Sequence, residues 1–269
     1  MADPSAPGLF EGTAPYYSRY RRPYPTAVFD VLIERFALDT TTAVLDLGCG
    51  TGQLSLPLGA RGIEVHGVDP DAEMLAEAIR CEQRTGPLGV AWHLGSDADL
   101  LRLHLPAVRV CTMGASFHWT DRDGLLAQLD MIIDAHGGVA VVSGSGSVFR
   151  KDDGTPPAWV AVAKSTVEEL LGPERRAGGG TFRHPEDRHE VVLARSPFGK
   201  LSHHQFAVPD PMTIEEIVGL QLSMSYSSPA QLGDRLDRFR DLLTERLLEL
   251  EPGGVFEGWT VADVILATR

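Results

Sequence analysis

Basic residues are scarce in this 269-residue chain, which has 24 Lys and Arg against 37 Asp and Glu and a formal net charge of −13. Such a chain lacks the surplus of positive charge that neutralises phosphates, which disfavours nucleic acid and anionic membranes as partners. Apolar runs are also short, since none approaches the ~20 residues that a membrane-spanning helix needs. The first ten residues, MADPSAPGLF, lack the basic and apolar regions of a secretory signal peptide. These absences predict a soluble protein with neither a nucleic-acid nor a membrane partner.

Cysteine is rare as well, with only Cys49, Cys81 and Cys111. Three cysteines are too few, and odd in number, for a disulfide framework, which predicts a reduced, cytoplasmic protein. No spacing of His, Cys, Asp and Glu resembles a metal site, so we expect no bound metal. With 43% apolar and 23% charged residues the composition is ordinary for a globular protein. It favours an enzyme that acts on small molecules.

Short apolar runs alternate with helical patterns in the first half of the chain. Each run is apolar on both faces and bounded by Gly, Asp or Pro, as in parallel strands buried under helices. The predicted strands are Ala43–Cys49, Ile63–Asp69, Gly89–Gly95, Val108–Gly114 and Gly138–Ser143. The predicted helices are Thr26–Ala37, Leu54–Ala60, Ala72–Arg84 and Asp121–Asp134. This alternation predicts βαβ units and a doubly wound α/β sheet.

The pattern changes after Gly144. The expected elements are helices at Ala158–Leu171, Glu186–Ala194, Thr213–Met224 and Pro229–Leu250, strands at Gly199–Val208 and Trp259–Ala267, and a mobile loop over Glu174–Pro185. No linker separates two independent domains, so we expect one domain over residues 1–269. Within it, a core at about 38–145 precedes a helical cap with substrate-side elements at about 146–258. The last strand, at about 259–267, then completes a mostly parallel, seven-stranded sheet.

The most specific motif is D-x-G-x-G-x-G, formed by Asp46, Gly48, Gly50 and Gly52 between a buried strand and a helix. Without Cβ atoms, the backbone of such a turn can approach a ligand closely. A dinucleotide turn is the alternative, but its G-x-G-x-x-G fingerprint fails because Gln53 or Ser55 takes the last position. A carboxylate beside the turn suits a cationic ligand better than a pyrophosphate.

This motif resembles the first motif of the class I S-adenosylmethionine (SAM)-dependent methyltransferases. The resemblance implies a Rossmann-like methyltransferase fold, with the glycine turn against the methionine and ribose part of SAM and Asp46 near its aminoacyl end. Asp69 ends the second strand and matches the family's acidic residue that binds both ribose hydroxyls. Met74 stands where the family often packs an apolar residue near the adenosine, although simple core packing is an equal alternative.

The third strand ends in Gly95-Ser96-Asp97-Ala98-Asp99-Leu100, which is similar to the family's G-D-A-x-D-L segment. The resemblance implies an adenine contact from Asp97, with Ser96 as the fallback in the other register. Asp99 is expected to cap the following turn.

The fourth strand runs into Gly114-Ala115-Ser116-Phe117-His118-Trp119, which resembles the x-A-F-H-W segment of many small-molecule methyltransferases. Strand ends in open parallel sheets border ligand clefts, so Gly114 is expected beside SAM and Trp119 beside the substrate. His118 is the candidate catalytic base, because its ordinary pKa near 6.5 suits removal of an acceptor proton. In the alternative, His118 orients the loop or lines the SAM pocket, while Trp119 packs on the adenine or in the core.

The segment before the core, Pro15–Pro25, contains four of the five tyrosines. It resembles the Y-x-x-x-R-P-x-Y-P stretch of one branch of the family, where the segment folds over the cleft and helps to hold the SAM carboxylate. The resemblance points to Tyr16, Tyr20 and Arg22, although Arg19 and Arg21 are equally available by composition. A surface turn with aromatic anchors is the alternative.

Met224 and Tyr226 stand among serines late in the chain, and we expect them to form an acceptor wall, to which Trp159 and Phe149 contribute, or to pack between helices. The resemblance implies transfer of a methyl group from SAM to a small organic acceptor, such as a specialised natural product, with S-adenosylhomocysteine (SAH) as the product. Methylation of a macromolecule and a non-methylating rearrangement or cyclisation are the alternatives. The sequence does not separate transfer to oxygen, nitrogen or carbon, nor a monomer from a homodimer.

Overall fold

The computed structural model describes residues 10–143, 149–150, 155–173, 176–177, 180–181 and 187–269. The chain divides into two compact units, which are described separately. Unit 1 comprises Met1–Arg22, Gly146–Arg183 and Ala207–Val261, and unit 2 comprises Pro23–Ser145, His184–Phe206 and Ala262–Arg269. No helix among the described residues combines the length and the apolar character that crossing a bilayer requires.

The helices are α1 Ala14–Tyr20, α2 Thr26–Phe36, α3 Ser55–Gly59, α4 Ala72–Thr85, α5 Arg122–Ile132, α6 Ala158–Leu171, α7 His189–Ala194, α8 Ile214–Leu222, α9 Pro229–Leu232 and α10 Leu236–Leu250. The strands are β1 Ala43–Leu47, β2 Glu64–Asp69, β3 Val90–Leu94, β4 Val108–Gly114, β5 Ile133–Val142, β6 Phe149–Arg150, β7 Arg176–Ala177, β8 Gly180–Thr181, β9 Lys200–Pro209, β10 Met212–Thr213, β11 Val255–Phe256 and β12 Trp259–Thr268.

Unit 2 is built on the predicted sheet. Its strands follow the order β3-β2-β1-β4-β5-β12, and β9 also pairs with β12. The first five strands are parallel, whereas β12 runs antiparallel to β5 over residues 264–268. Nearly every residue of β1, β2 and β4 is buried. Apolar side chains on both faces of these strands are therefore removed from water, which stabilises the sheet. The predicted fold class, a mostly parallel seven-stranded sheet with flanking helices, is confirmed.

Alternate residues of each strand enter different apolar clusters. Leu45 of β1 packs with Leu125 and Leu129 of α5, whereas its neighbour Val44 packs with Leu32 of α2 and Leu58 of α3. Side chains of a strand alternate between its two faces, so one short apolar run supplies both layers of the core. With helices packed on both faces of this sheet, a ligand is expected at the ends of the strands.

Unit 1 is mainly helical. Its core includes Leu220 of α8 with Phe239, Leu243 and Leu247 of α10, the last three of which lie along one face of that helix. The prediction of one continuous helix over Pro229–Leu250 is wrong, because α9 ends at Leu232 and a short 3-10 turn precedes α10. Gly233 has a φ of +52°, a left-handed conformation that glycine adopts without strain, and it ends the helix there.

Two short hairpins complete the description of unit 1. β10 pairs with β11, and β7 pairs with β8, both antiparallel. The predicted loop over Glu174–Pro185 lies outside the described residues except for β7 and β8, and the side chain of Phe149 also lies outside them.

Candidate functional site

The candidate site begins at the turn that follows β1. Gly48, Gly50 and Gly52 have φ angles of +69°, +56° and +90°, which places all three in the left-handed region. The backbone N–H groups of Gly48 and Cys49 donate to the carbonyl of Val68 at 2.8 and 3.1 Å. The turn after β1 is therefore held against the end of β2, which is the strand that carries Asp69.

Side chains could not replace two of these glycines. An ideal Cβ on Gly48 would stand 2.4 Å from the Cβ of Ser116, and one on Gly52 would stand 2.9 Å from Leu56 and 3.0 Å from the ring of Trp92. The D-x-G-x-G-x-G spacing thus reflects close packing of the turn as well as its left-handed backbone.

Asp69 lies at the end of β2 with 7% of its surface exposed. Its Oδ2 accepts the N–H of Gly50 at 2.8 Å and its Oδ1 accepts the N–H of Asp71 at 2.9 Å. Burial raises the pKa of Asp69 to about 6, against the opposing effect of these two hydrogen bonds. Each oxygen retains acceptor capacity beyond its single backbone partner, so the carboxylate can also accept from two further hydroxyl donors.

Asp46 has a different environment, because it is 1% exposed and faces other side chains. Its Oδ2 accepts from the hydroxyl of Ser55 on α3 at 2.5 Å, and its Oδ1 accepts from the hydroxyl of Thr112 on β4 at 3.0 Å. Burial raises the pKa of this carboxyl to about 6 as well. The geometry makes Asp46 a link between β1, α3 and β4.

Helix α4 starts directly after Asp69. Asp71 caps it by accepting the N–H groups of Glu73 and Met74 at 2.8 and 3.3 Å. Met74 is 3% exposed on this first turn, a placement that fits both alternatives offered by the sequence, core packing and an adenosine contact.

The segment after β3 forms a 3-10 turn over Asp97–Arg102. Asp99 accepts the N–H and the hydroxyl of Ser96 at 3.0 and 2.8 Å, which confirms that it caps the turn, and these bonds hold the pKa of Asp99 below its usual range. Asp97 accepts the N–H of Asp121 at 3.0 Å. The segment that resembles the adenine-binding motif is thereby tied to the start of α5.

β4 ends at Gly114, where an ideal Cβ would lie 3.0 Å from the hydroxyl of Tyr24. Ala115 follows with a φ of +55°, and a 3-10 turn over Phe117–Trp119 then carries His118. The rings of His118 and Trp119 have centroids 4.9 Å apart. The structure thus joins the glycine turn, Asp69 and the His118 turn within unit 2, at the carboxyl ends of β1, β2 and β4.

One residue that no sequence motif marks, His189, also lies here. The ring of His189, at the start of α7, is 6.3 Å from that of His118 and 5.1 Å from that of Phe117. Burial, with the nearby charge of Arg122, lowers the pKa of His189. No motif surrounds His189 in the sequence, and only the fold brings α7 to β4.

The remaining candidates lie in unit 1. The hydroxyl of Tyr20 donates to Glu215 at 3.0 Å, and the hydroxyl of Tyr16 accepts from Arg240. Arg22 pairs with Asp210 and Glu216, both at 2.8 Å, and donates to the carbonyl of Pro211 at 3.0 Å. All the donor nitrogens of Arg22 therefore have partners inside unit 1.

Met224 and Tyr226 belong to the apolar core of unit 1, as does Trp159. Met224 is 9% exposed, and its sulfur accepts from Arg21 at 3.0 Å. These contacts are the ones expected if Met224 and Tyr226 pack between helices. An acceptor wall made by these side chains stays a prediction.

Comparisons with known proteins agree with this architecture. A family described as a methyltransferase domain matches residues 44–137, which include the glycine turn, Asp69 and His118. An uncharacterized methyltransferase of Mycobacterium tuberculosis is 29% identical over 232 residues, covering 84% of this chain and 82% of its own. An uncharacterized methyltransferase-like protein of Schizosaccharomyces pombe is 25% identical over 211 residues, covering 78% and 75%.

A solved structure shares the fold. A protein assigned as a type II methyltransferase of Anaeromyxobacter dehalogenans superposes with a TM-score of 0.62 at 24% identity, covering 93% of this chain and 98% of its own. The matched domain, the relatives and the fold together define a methyltransferase built on a Rossmann-like sheet. Residues 44–137 of this chain match the methyltransferase domain, and the chain is similar to methyltransferases in sequence and in fold.

Proposed function

We propose that the glycine turn and Asp69 of unit 2 bind SAM, and that the protein transfers its methyl group to a small organic acceptor. One observation carries this proposal. Gly48, Gly50 and Gly52 all have left-handed backbones, and the backbone N–H of Gly50 donates to the buried carboxylate of Asp69 at 2.8 Å. A cofactor laid on this turn meets backbone without Cβ atoms and a carboxylate at the same strand ends.

Asp69 fits the ribose of SAM in both number and kind of hydrogen bonds. Its two oxygens each accept one backbone N–H, which leaves capacity for the two hydroxyls of a vicinal diol. Its charge, present at neutral pH, also favours a cationic cofactor. When bound, SAM supplies an electrophilic methyl group on its sulfonium sulfur.

The net charge of the chain and the segment after β4 support the proposal of a small organic acceptor. A net charge of −13 disfavours RNA or DNA as the acceptor. Residues 114–119 read GASFHW and lack the N/D-P-P-Y/F segment of amino-methylating enzymes that act on macromolecules. These features support a small molecule, and we favour a specialised metabolite. The free cysteines, Cys49, Cys81 and Cys111, suit a reducing cytoplasm.

Replacing Asp69 tests the cofactor assignment. Losing charged hydrogen bonds of ~1.5–3 kcal/mol should weaken SAM binding at least about tenfold in Asp69→Ala. Isothermal titration with SAM and with SAH measures this, and circular dichroism confirms that the variant is folded. The matched control is Asp134→Asn, because Asp134 pairs with Arg109 elsewhere in unit 2. Unchanged titration curves for Asp69→Ala would remove Asp69 from the ribose site.

A role of Tyr16, Tyr20 and Arg22 at the SAM carboxylate stays a prediction from the resemblance. Arg22→Ala and Asp210→Asn both break the pair between these two residues, which lies inside unit 1. If Arg22 binds SAM, only Arg22→Ala weakens SAM affinity, whereas both variants lower the unfolding temperature. Equal SAM affinities in the two variants would assign Arg22 to the stability of unit 1 alone.

A further inference from the structure

Ser116 lies between the glycine turn and the turn that carries His118. Its side chain is almost fully buried, and its hydroxyl donates to the carbonyl of Leu47 at 2.6 Å. Leu47 is the last residue of β1 and directly precedes Gly48. A short hydrogen bond thus joins the start of the proposed cofactor turn to the loop after β4.

The side chain of Ser116 packs directly against Gly48. The Cβ of Ser116 occupies the space beside Gly48, where an ideal Cβ would approach it to 2.4 Å. Only glycine at position 48 therefore lets Ser116 reach the carbonyl of Leu47. The glycine of the motif serves the loop after β4 as well as the ligand.

The turn with His118 is held on the side where the chain enters it. Before it, the N–H of Ala115 donates to the carbonyl of Val142 at 2.8 Å, which fixes the loop to β5. At its start, the carbonyl of Ser116 accepts the N–H of Trp119 at 2.9 Å. Ser116 thus directly precedes the turn, and its side chain supplies the contact with β1.

The cofactor turn itself does not depend on Ser116 for its anchoring. Gly48 and Cys49 donate to Val68, and Gly50 donates to Asp69, all at the end of β2. Removal of the Ser116 hydroxyl therefore leaves the glycines held, while the His118 turn loses its link to them.

We propose that Ser116 is a positioning residue, which couples occupancy of the glycine turn to the placement of His118 and Trp119. A ligand that settles on the glycine turn fixes the carbonyl of Leu47, and Ser116 transfers that restraint to the first residue of the His118 turn. The inference rests on the proposed function, because the ligand is SAM or its product SAH. Positioning matters because displacing a reacting group by ~1 Å can reduce the rate about 100-fold.

Hydrogen exchange with and without SAH tests this coupling without knowledge of the acceptor. The variants are Ser116→Ala and Ser116→Cys, the second of which keeps a heavy atom at the γ position but has only a weak donor. The matched control is Ser196→Ala, since the hydroxyl of Ser196 makes the same kind of bond, to the carbonyl of Leu193 at 2.7 Å. The readouts are the SAH dissociation constant and the exchange of residues 115–120 and 46–52.

In the wild type and in Ser196→Ala, SAH should slow exchange in both segments. In both Ser116 variants, SAH should bind within about threefold of wild type and still protect residues 46–52. Residues 115–120 should exchange about tenfold faster, the effect of one net hydrogen bond, and gain little protection from SAH.

Two results would overturn the proposal. In the first, SAH protects residues 115–120 equally in wild type and Ser116→Ala. In the second, Ser116→Ala loses SAH affinity about tenfold, which would make Ser116 part of the cofactor turn itself. Failure of the wild type to bind SAH would overturn the proposed function and this coupling together, and it is recognised by the loss of protection at residues 46–52.

Discussion

At the scale of single residues, Asp46 is a motif residue that is buried among other side chains in the structure. The D-x-G-x-G-x-G pattern places a carboxylate next to the glycines, but only the structure shows both oxygens hydrogen bonded, to Ser55 and Thr112. An ionised carboxylate with 1% exposure is costly to keep away from water. The pattern identified an important residue, while its contacts depend on where α3 and β4 pack.

Relative to the wild type, the Asp46→Asn variant should become more stable against unfolding as pH rises. The folded-state pKa of about 6 exceeds the ordinary value of 3.8, so its contribution to stability is present below pH 4 and is lost as pH rises through 6. The asparagine side chain does not titrate, so the unfolding free energy of the variant minus that of wild type should rise by about 2 kcal/mol between pH 4.5 and 7.5. Urea denaturation at several pH values measures this difference.

Asp134→Asn supplies the control for this pH series. Burial favours the neutral form of Asp134, but the hydrogen bond and charge of Arg109 and the backbone N–H of His136 together outweigh burial and hold the pKa of Asp134 below its usual range. Its difference from wild type should therefore stay flat above about pH 5, since the carboxyl is already ionised there. A flat profile for Asp46→Asn as well would contradict the assigned role of burial at Asp46.

His118→Ala distinguishes a base from a positioning residue. If His118 removes the proton of the acceptor, the variant should lose a factor of about 10²–10⁴ in kcat with nearly unchanged SAM affinity. The control is His136→Ala, because His136 is exposed on β5. A loss of less than tenfold, or an equal loss of SAM affinity, would show that His118 is not the base.

At the scale of elements, α1 and α8 pack closely at Gly219. An ideal Cβ on Gly219 of α8 would lie 2.3–2.5 Å from the ring of Tyr20, which also donates to Glu215 on the same helix. The sequence shows a tyrosine-rich segment and a helical pattern, but the contact between them needs the tertiary fold. Of the tyrosines in Pro15–Pro25, Tyr16 and Tyr20 pack within unit 1, whereas Tyr24 belongs to the apolar core of unit 2.

Gly219→Ala separates helix propensity from packing by the sign of its effect. Propensity alone predicts a gain of ~1 kcal/mol in a helix interior, whereas the clash with Tyr20 predicts a loss of ~1–3 kcal/mol. We expect the loss, measured as a lower unfolding free energy in urea.

The double variant Tyr20→Ala with Gly219→Ala tests whether Tyr20 is the cause. Removing the ring opens the space that the new methyl group needs, so the two costs should not add. Additive losses would mean that another contact of Gly219 decides the result.

At the scale of the whole molecule, four of the proposed cofactor-binding segments fall in unit 2. The glycine turn, Asp69, Asp97 and the His118 turn follow β1, β2, β3 and β4 in sequence order. Because parallel strands end at the same edge, segments separated by roughly 20 residues in the chain become neighbours there.

Hydrogen exchange over the whole chain should therefore show where SAH binds. With saturating SAH, we expect slower exchange in residues 46–54, 67–74, 95–99 and 112–120 of unit 2, because a ligand that binds the folded state suppresses local opening. The helices α2 and α5 should change little, which provides an internal control. Protection spread evenly over unit 2 would indicate general stabilisation without a localised site.

The sequence alone determined the fold class, the parallel strands and the glycine turn, because those features follow from local patterns: apolar periodicity, glycine spacing and residues next to strand ends. The class of enzyme came from the resemblance of these motifs to a known family. The sequence placed the ends of most helices within a few residues but missed the break at Gly233, since helical spacing of leucines continues across it. Only the tertiary structure decided that His189 lies beside His118, that Ser116 contacts Leu47 and that Asp46 is enclosed by Ser55 and Thr112. These contacts join residues far apart in the chain, and their distances depend on how helices and strands pack, which no local pattern encodes.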